Sequence, residues 1–303
     1  MIESIKIWNE PNNLSHWDFL LDPGWAVYSQ MVIQAATAIH GVRPEMPVVL
    51  GGMSPIDPRF VRRMRETGAL DHVDVLAVHG FPHDWNLWPM HHWPEKLEML
   101  RAEFGKPVWI TETGVGSYVS EEIAAWGLRE SLRILRGERV YWYTLFDLAP
   151  EREATTRHKA AEGSSYWRHF HFGLLKHDGT PKRAMEEFDP EFGLCQWFHF
   201  QDERTLERSV EWFHRLGVRH VRTGLSWAES HIPGADRWFD TLMSALEPFD
   251  VCVTLCFTPP SRGVRSDHTS PPVDVSEFAD FAHRMAERYA PLPASLGPSS
   301  RLV

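Results

Sequence analysis

Ile5-Lys6-Ile7-Trp8-Asn9-Glu10-Pro11-Asn12 is a short apolar run that ends in an amide and a carboxylate. A hundred residues on, Val108-Trp109-Ile110-Thr111-Glu112-Thr113-Gly114 is again a β-like run, and it too ends in one glutamate. Between and beyond these stretches the chain alternates strand-like and helix-like segments. Further strands are expected over 47–52, 73–79, 139–146, 193–198, 218–223 and 251–257. Helices are expected over 23–40, 57–66, 95–104, 120–135, 202–216, 236–246 and 275–289, the first opened by Asp22-Pro23 as N-cap and first helical residue and closed at Gly41, the second begun by Asp57-Pro58, and the fifth stopped at Gly217. Eight parallel strands separated by helices match a (β/α)8 barrel, an α/β fold whose chemistry sits at the carboxyl ends of its strands. The polar residues fall there: Asn9, Glu10, His79, Glu112, Asp147 and Arg222. A doubly wound open sheet is the alternative, but the glycine-rich phosphate loop usual to it is missing. The barrel is expected to fill 1–290 as one domain, strand order aside, with 291–303 as a tail. Within it, 149–168 reads as a long loop, 166–173 as a hairpin or edge strand, and 182–188 as a short helix.

The 303 residues are 43% hydrophobic and 24% charged, enough for a full core. A net charge of -10 without clustered Lys and Arg excludes a nucleic-acid surface. No run of 18 apolar residues offers a membrane span, and the N-terminus has no signal pattern. Cys195, Cys252 and Cys256 lack the close spacing of zinc or redox motifs and suit a reducing compartment, so a soluble cytoplasmic protein is expected. Its oligomeric state is open between monomer and homodimer. His169 and His171 would share one strand face, but no third ligand stands at a telling distance, and neither metal nor other cofactor is expected.

Two glutamates at strand ends suit hydrolysis of a glycosidic bond, one protonating the leaving oxygen and one attacking or stabilising the sugar cation. Fourteen Trp supply core, and also flat faces for pyranose rings. A carbohydrate is therefore the expected partner. Each candidate has a plainer reading beside it. Arg222 either pairs with a pocket carboxylate or ends a surface strand. Asn9 could be a turn residue, His79 and Trp142 could be core, and Trp85 and Trp88 could line a cleft or pack their loop down.

Trp8-Asn9-Glu10-Pro11-Asn12 with Trp109-Ile110-Thr111-Glu112-Thr113-Gly114 resembles the clan A retaining glycoside hydrolases, nearest to the family 39 and family 5 β-glycosidases, bacterial β-xylosidases among them. The resemblance extends to Val78-His79-Gly80-Phe81 and Tyr141-Trp142-Tyr143. It implies Glu10 as acid/base, Glu112 as nucleophile, Asn9 on the sugar 2-hydroxyl, Arg222 in the pocket, and His79 and Trp142 in the sugar subsite. The clan often has a Tyr after the sixth strand, on the nucleophile, and no Tyr stands between Tyr28 and Tyr118 here. The order also departs. The segments that resemble the clan's first three strands, around 194–198, 218–223 and 251–259, come last, so the chain reads as a circular permutation that starts at the fourth strand. Such a cut keeps every contact of a closed barrel, although the two parts could instead pair between chains. Transglycosylation with the same residues, or a carbohydrate-binding barrel without turnover, are the rival activities.

Overall fold

In the computed structural model, residues 2–154 and 164–290 are described. Eight strands, β1 (Ile2–Asn9), β2 (Val48–Met53), β3 (Val75–Gly80), β4 (Val108–Thr113), β5 (Val140–Tyr143), β6 (Gly193–Cys195), β7 (His220–Ser226) and β8 (Asp250–Cys256), close into a parallel barrel in sequence order. The helices among the described residues are α1 (Ala26–Val42), α2 (Pro58–Glu66), α3 (Trp93–Phe104), α4 (Glu121–Ile134), α5 (Ser164–Arg168), α6 (Glu203–Arg215), α7 (Ala235–Ala245) and α8 (Val275–Tyr289). This is the expected (β/α)8 architecture. β1 lies parallel between β8 and β2, with Ile5 opposite both Val253 and Val48. The barrel thus closes within one chain. Any barrel numbered along its chain has that neighbour relation, so it speaks for closure and leaves the evolutionary order aside. The tail 291–303 lies outside the described residues.

Local chemistry explains most boundaries. Asp57, Ser120, Asp202 and Asp274 each cap a helix by accepting from a backbone N–H one turn in. Three expectations are corrected. α1 begins at Ala26 rather than near Pro23, because Asp22 takes the N–H groups of Val27 and Tyr28 at 2.9 and 3.0 Å and Trp25 turns the chain at φ 54°; Gly41 lies inside the helix. The stretch 166–173 is helical, α5 followed by a 3-10 turn over His169–His171, and not a hairpin. β5 ends at Tyr143, because the backbone of Thr144 and Leu145 pairs with the 172–175 segment instead. Among the described residues no helix is long and apolar enough to cross a membrane.

Side chains alternate along each strand between the helices and the barrel interior. Ile5, Ile7, Val48, Leu50, Leu76, Val78, Ile110 and Trp142 join the large core shared with the helices. Val49, Val75 and Ala77 form one small cluster, and Tyr141, Cys195 and Cys252 another. The three cysteines are free and buried. The rest of the interior is polar: Ser4, Lys6, His79, Thr111, Arg222 and Thr254 have no exposed surface.

Candidate active site

At the end of β1 the backbone leaves regular geometry, with Trp8 at φ 69° and Glu10 at φ 43°. Positive φ is costly for side-chain-bearing residues and gathers at functional sites. Trp8 is held on the helix side by Trp17 and Phe278 and by a hydrogen bond from its Nε1 to the His16 carbonyl. The kink lets the consecutive residues Asn9 and Glu10 meet the interior groups, each about one-twentieth exposed.

From β4, Glu112 meets them. Arg222 on β7, wholly buried, directs the two N–H bonds of Nη1 to Glu112 Oε1, the Thr111 carbonyl and Cys195 Sγ, which share them, and donates from Nη2 to Asn9 Oδ1 at 2.7 Å. Between the two carboxylates stands His79 of β3, its Nδ1 2.7 Å from Glu10 Oε1 and 3.4 Å from Glu112 Oε2. One oxygen from each carboxylate and a nitrogen of His79 lie within 4.8 Å of one another. Room for the ring comes from Gly52, where a Cβ would stand 2.0 Å from His79 Nε2. Glu10 Oε2 accepts from Asn13 Nδ2 at 2.8 Å and lies 3.3 Å from His16 Nε2.

Burial, and next the negative charge of Glu112, raise the Glu10 carboxyl to about 8, with Lys6, Asn13 and Arg222 working against them. Glu10 therefore holds a proton at neutral pH. Burial keeps both neighbouring histidines neutral: it lowers His16 to about 3, helped by His268 and Lys6, and puts His79 well below its usual value, helped by Lys6 and Arg222.

The sequence expectations sort accordingly. Glu10, Glu112, Asn9, Arg222 and His79 stand together. Arg222 pairs with the pocket carboxylate Glu112 and also holds Asn9, while His79 stands between the two carboxylates, and neither Arg222 nor His79 has exposed surface. Trp142 is corrected: at 1% exposure it packs in the helix-side core. Its neighbour Tyr143 takes the inward position, close enough to Glu112 and Glu10 that their charges, after burial, raise its phenol. Trp85 packs against Phe81, Phe172 and His169, a cluster that continues to Tyr143. Trp88 packs its loop down, edge-on to buried Trp93 and under Lys96. Lys6, Asn13, His16, Thr111, Tyr143 and Trp197 were not among the expected site residues. Of these Lys6 carried a signal, a lysine between two isoleucines in a strand covered on both faces.

Two groups among the described residues bring three metal-type ligand atoms together: Glu10, His79 and Glu112, and, at the other end of the barrel, Glu3, His220 and Asp250. Neither includes His169 or His171. In the first, Arg222 and Lys6 already supply positive charge. In the second, Arg139 binds Glu3 and Arg219 binds Asp250. A cation fits neither set.

The chain matches no family model and no curated protein. Solved structures similar to it include a GH128 (subgroup V) exo-β-1,3-glucanase from Cryptococcus neoformans, at 14% identity and TM-score 0.42 over 61% of this chain and 68% of that one. A GH2 β-galacturonidase from Eisenbergiella tayi is 17% identical at TM-score 0.34, over 49% of this chain, which spans only 33% of the galacturonidase. A truncated 3-deoxy-D-arabino-heptulosonate 7-phosphate synthase from Thermotoga maritima covers 94% of this chain and 85% of its own, at 10% identity and TM-score 0.42. Likenesses at this level assign no activity.

Proposed function

We propose that the protein is a retaining glycoside hydrolase that cleaves a β-glycosidic bond by double displacement. The observation that carries this reading is the pair Glu10 and Glu112. One oxygen of each carboxylate lies within 4.8 Å of one of the other, which is compatible with the roughly 5–5.5 Å carboxyl separation of retaining enzymes. Their environments differ as the two roles require: Glu10 is protonated by burial and by its neighbour, and Glu112 is gripped by Arg222. Glu112 attacks the anomeric carbon as Glu10 protonates the departing oxygen; Glu10 then takes a proton from water, which releases the sugar from Glu112.

Asn9 has its Oδ1 committed to Lys6 and Arg222, which leaves its Nδ2, 3.5 Å from His16 Nδ1, as the group to donate to a sugar hydroxyl. The half-buried aromatics Tyr143, which ends β5, and Trp197 and Phe257, which lie just beyond β6 and β8, replace Trp142 as platforms for the ring. The resemblance to the family 39 and family 5 β-glycosidases supports the same roles if the barrel is permuted. Glu10 directly follows β1 and Glu112 lies on β4, three strands apart like the clan's fourth and seventh, and β7 with Arg222 then stands second. The test is a panel of aryl β-glycosides, with and without an acceptor alcohol, with the anomer of the first-formed product read by proton NMR. Retained configuration is expected. Inverted product would overturn the double displacement, and no release from any sugar would overturn the hydrolase reading.

A further inference from the structure

We propose that Lys6, the His79 imidazole and Glu10 form a buried proton relay, in which Lys6 holds the proton that Glu10 gives up and so acts as a positioning residue for it; the inference rests on Glu10 being the acid/base. Lys6 has no exposed surface. Its Nζ reaches Asn9 Oδ1 at 3.1 Å, His79 Nε2 at 3.2 Å and Thr111 Oγ1 at 3.5 Å. These three partners are uncharged. An ammonium buried without a carboxylate at hydrogen-bond distance is costly, and a route by which it can shed its proton relieves that cost. His79 provides the route, since its other nitrogen lies 2.7 Å from Glu10 Oε1.

A neutral imidazole carries one N–H, so the chain has two arrangements with the same net charge. In the first, the Lys6 ammonium donates to Nε2, and Nδ1–H donates to the Glu10 carboxylate. In the second, the Lys6 N–H bond has broken and an Nε2–H bond has formed, while Nδ1–H has broken and an O–H bond has formed on Glu10 Oε1. Two protons each cross one hydrogen bond, and no atom is oxidised or reduced. Thr111 Oγ1, 3.0 Å from Nε2, can donate in the first arrangement and accept in the second. The groups facing Lys6 are Arg222, Glu112, Cys195, Cys252, His79 and Asn9; those facing Glu10 are Glu112, His79, His16, Asn13, Lys6 and Arg222. Burial, aided by Arg222, lowers Lys6 to about 7, while burial and Glu112 raise Glu10 to about 8. Two groups that titrate far apart in water thereby share one pH range.

The relay is tested first in the unmodified protein, labelled with 13C in the glutamate carboxyls and 15N in the imidazoles, with Glu10→Gln to assign the Glu10 signal. At every pH the fraction of His79 with Nδ1–H should equal the fraction of Glu10 present as carboxylate, and the fraction with Nε2–H should equal the fraction present as acid. A ring that keeps one tautomer while Glu10 titrates overturns the relay, whether or not any variant folds. Lys6→Met should raise the Glu10 midpoint, and the alkaline limb of kcat/KM on a phenyl β-glycoside, by about one pH unit or more. Lys6→Arg, whose charge cannot be lost, should lower both. Opposite shifts would not arise from a merely structural role, and an unmoved midpoint in Lys6→Met overturns the proposal. Linked titration in a protein that hydrolyses no glycoside would sustain the relay and sink the hydrolase reading.

Discussion

Replacing Glu10 with glutamine keeps the shape of the side chain and removes its proton. With the carboxyl raised to about 8, about 90% of molecules carry the acid at pH 7, against about 0.3% at the usual 4.5. The site thus makes the acid roughly 300-fold more available than an exposed glutamate would. A leaving group that departs as a stable anion needs little of it. For phenyl β-glycosides, Glu10→Gln should lower kcat/KM by about 10²–10⁴-fold, whereas for dinitrophenyl β-glycosides the first step should change little. Measured across pH, the unmodified protein should lose kcat/KM on the phenyl substrate as pH rises through about 8, and the variant should lack that limb. Glu112→Gln should stop both substrates, since every substrate needs the nucleophile. Equal losses on both substrates in Glu10→Gln would refute the assignment of the acid.

Three further outcomes follow from the geometry. Arg222→Met leaves Glu112 buried without its guanidinium partner and should destabilise the fold by about 3–5 kcal/mol in urea titrations, where a loss under about 1 would show the pair to be dispensable. Glu10 keeps a proton that the unfolded chain releases above its usual 4.5, so it weakens the fold as pH rises from about 4.5 to 8. Glu10→Gln should therefore gain on the unmodified protein by up to about 1.4 kcal/mol per pH unit there, and a constant difference would contradict the raised carboxyl. Trp142→Phe should lower stability through lost core packing and leave KM unchanged, whereas Tyr143→Ala should raise KM; the reverse pattern, read from kinetics and thermal melts, would restore Trp142 to the subsite.

The fold was legible because all eight strands announce themselves as apolar runs with polar ends, and Asp57, Ser120 and Asp202 mark helix starts in the expected way. Errors arose where a pattern had two readings. The alternation of Tyr166 to Gly173 imitates a strand, yet these residues cover the barrel as short helical turns whose Phe170 and Phe172 point into the aromatic packing. In Tyr141-Trp142-Tyr143 a shift of one residue exchanges the two faces, and only the pairing of Thr113 with Trp142 and of Cys195 with Tyr143 fixes which ring goes inside. Glu10 and Glu112 could be read because strand ends are where barrels keep their chemistry. The buried support beneath them could not, because it depends on which interior residues of β1, β3, β4 and β7 come level.

That support also bears on why the interior is polar at all. A barrel of this size can be filled with valine and isoleucine, and exchanging buried charges for apolar residues of similar volume is often neutral or stabilising. Here Lys6, His79, Thr111 and Arg222 occupy interior positions without exposed surface, and Trp8 and Glu10 add strained backbone. Stability alone does not account for this arrangement. The charges nevertheless come close to balance: Arg222 offsets Glu112, and between about pH 7 and 8 Lys6 and Glu10 together hold about one proton, so there the cluster is near neutral whichever of the two has it. A neutral cluster can be buried at modest cost while keeping one labile proton beside a paired carboxylate, and acid/base work on a bound substrate requires that combination.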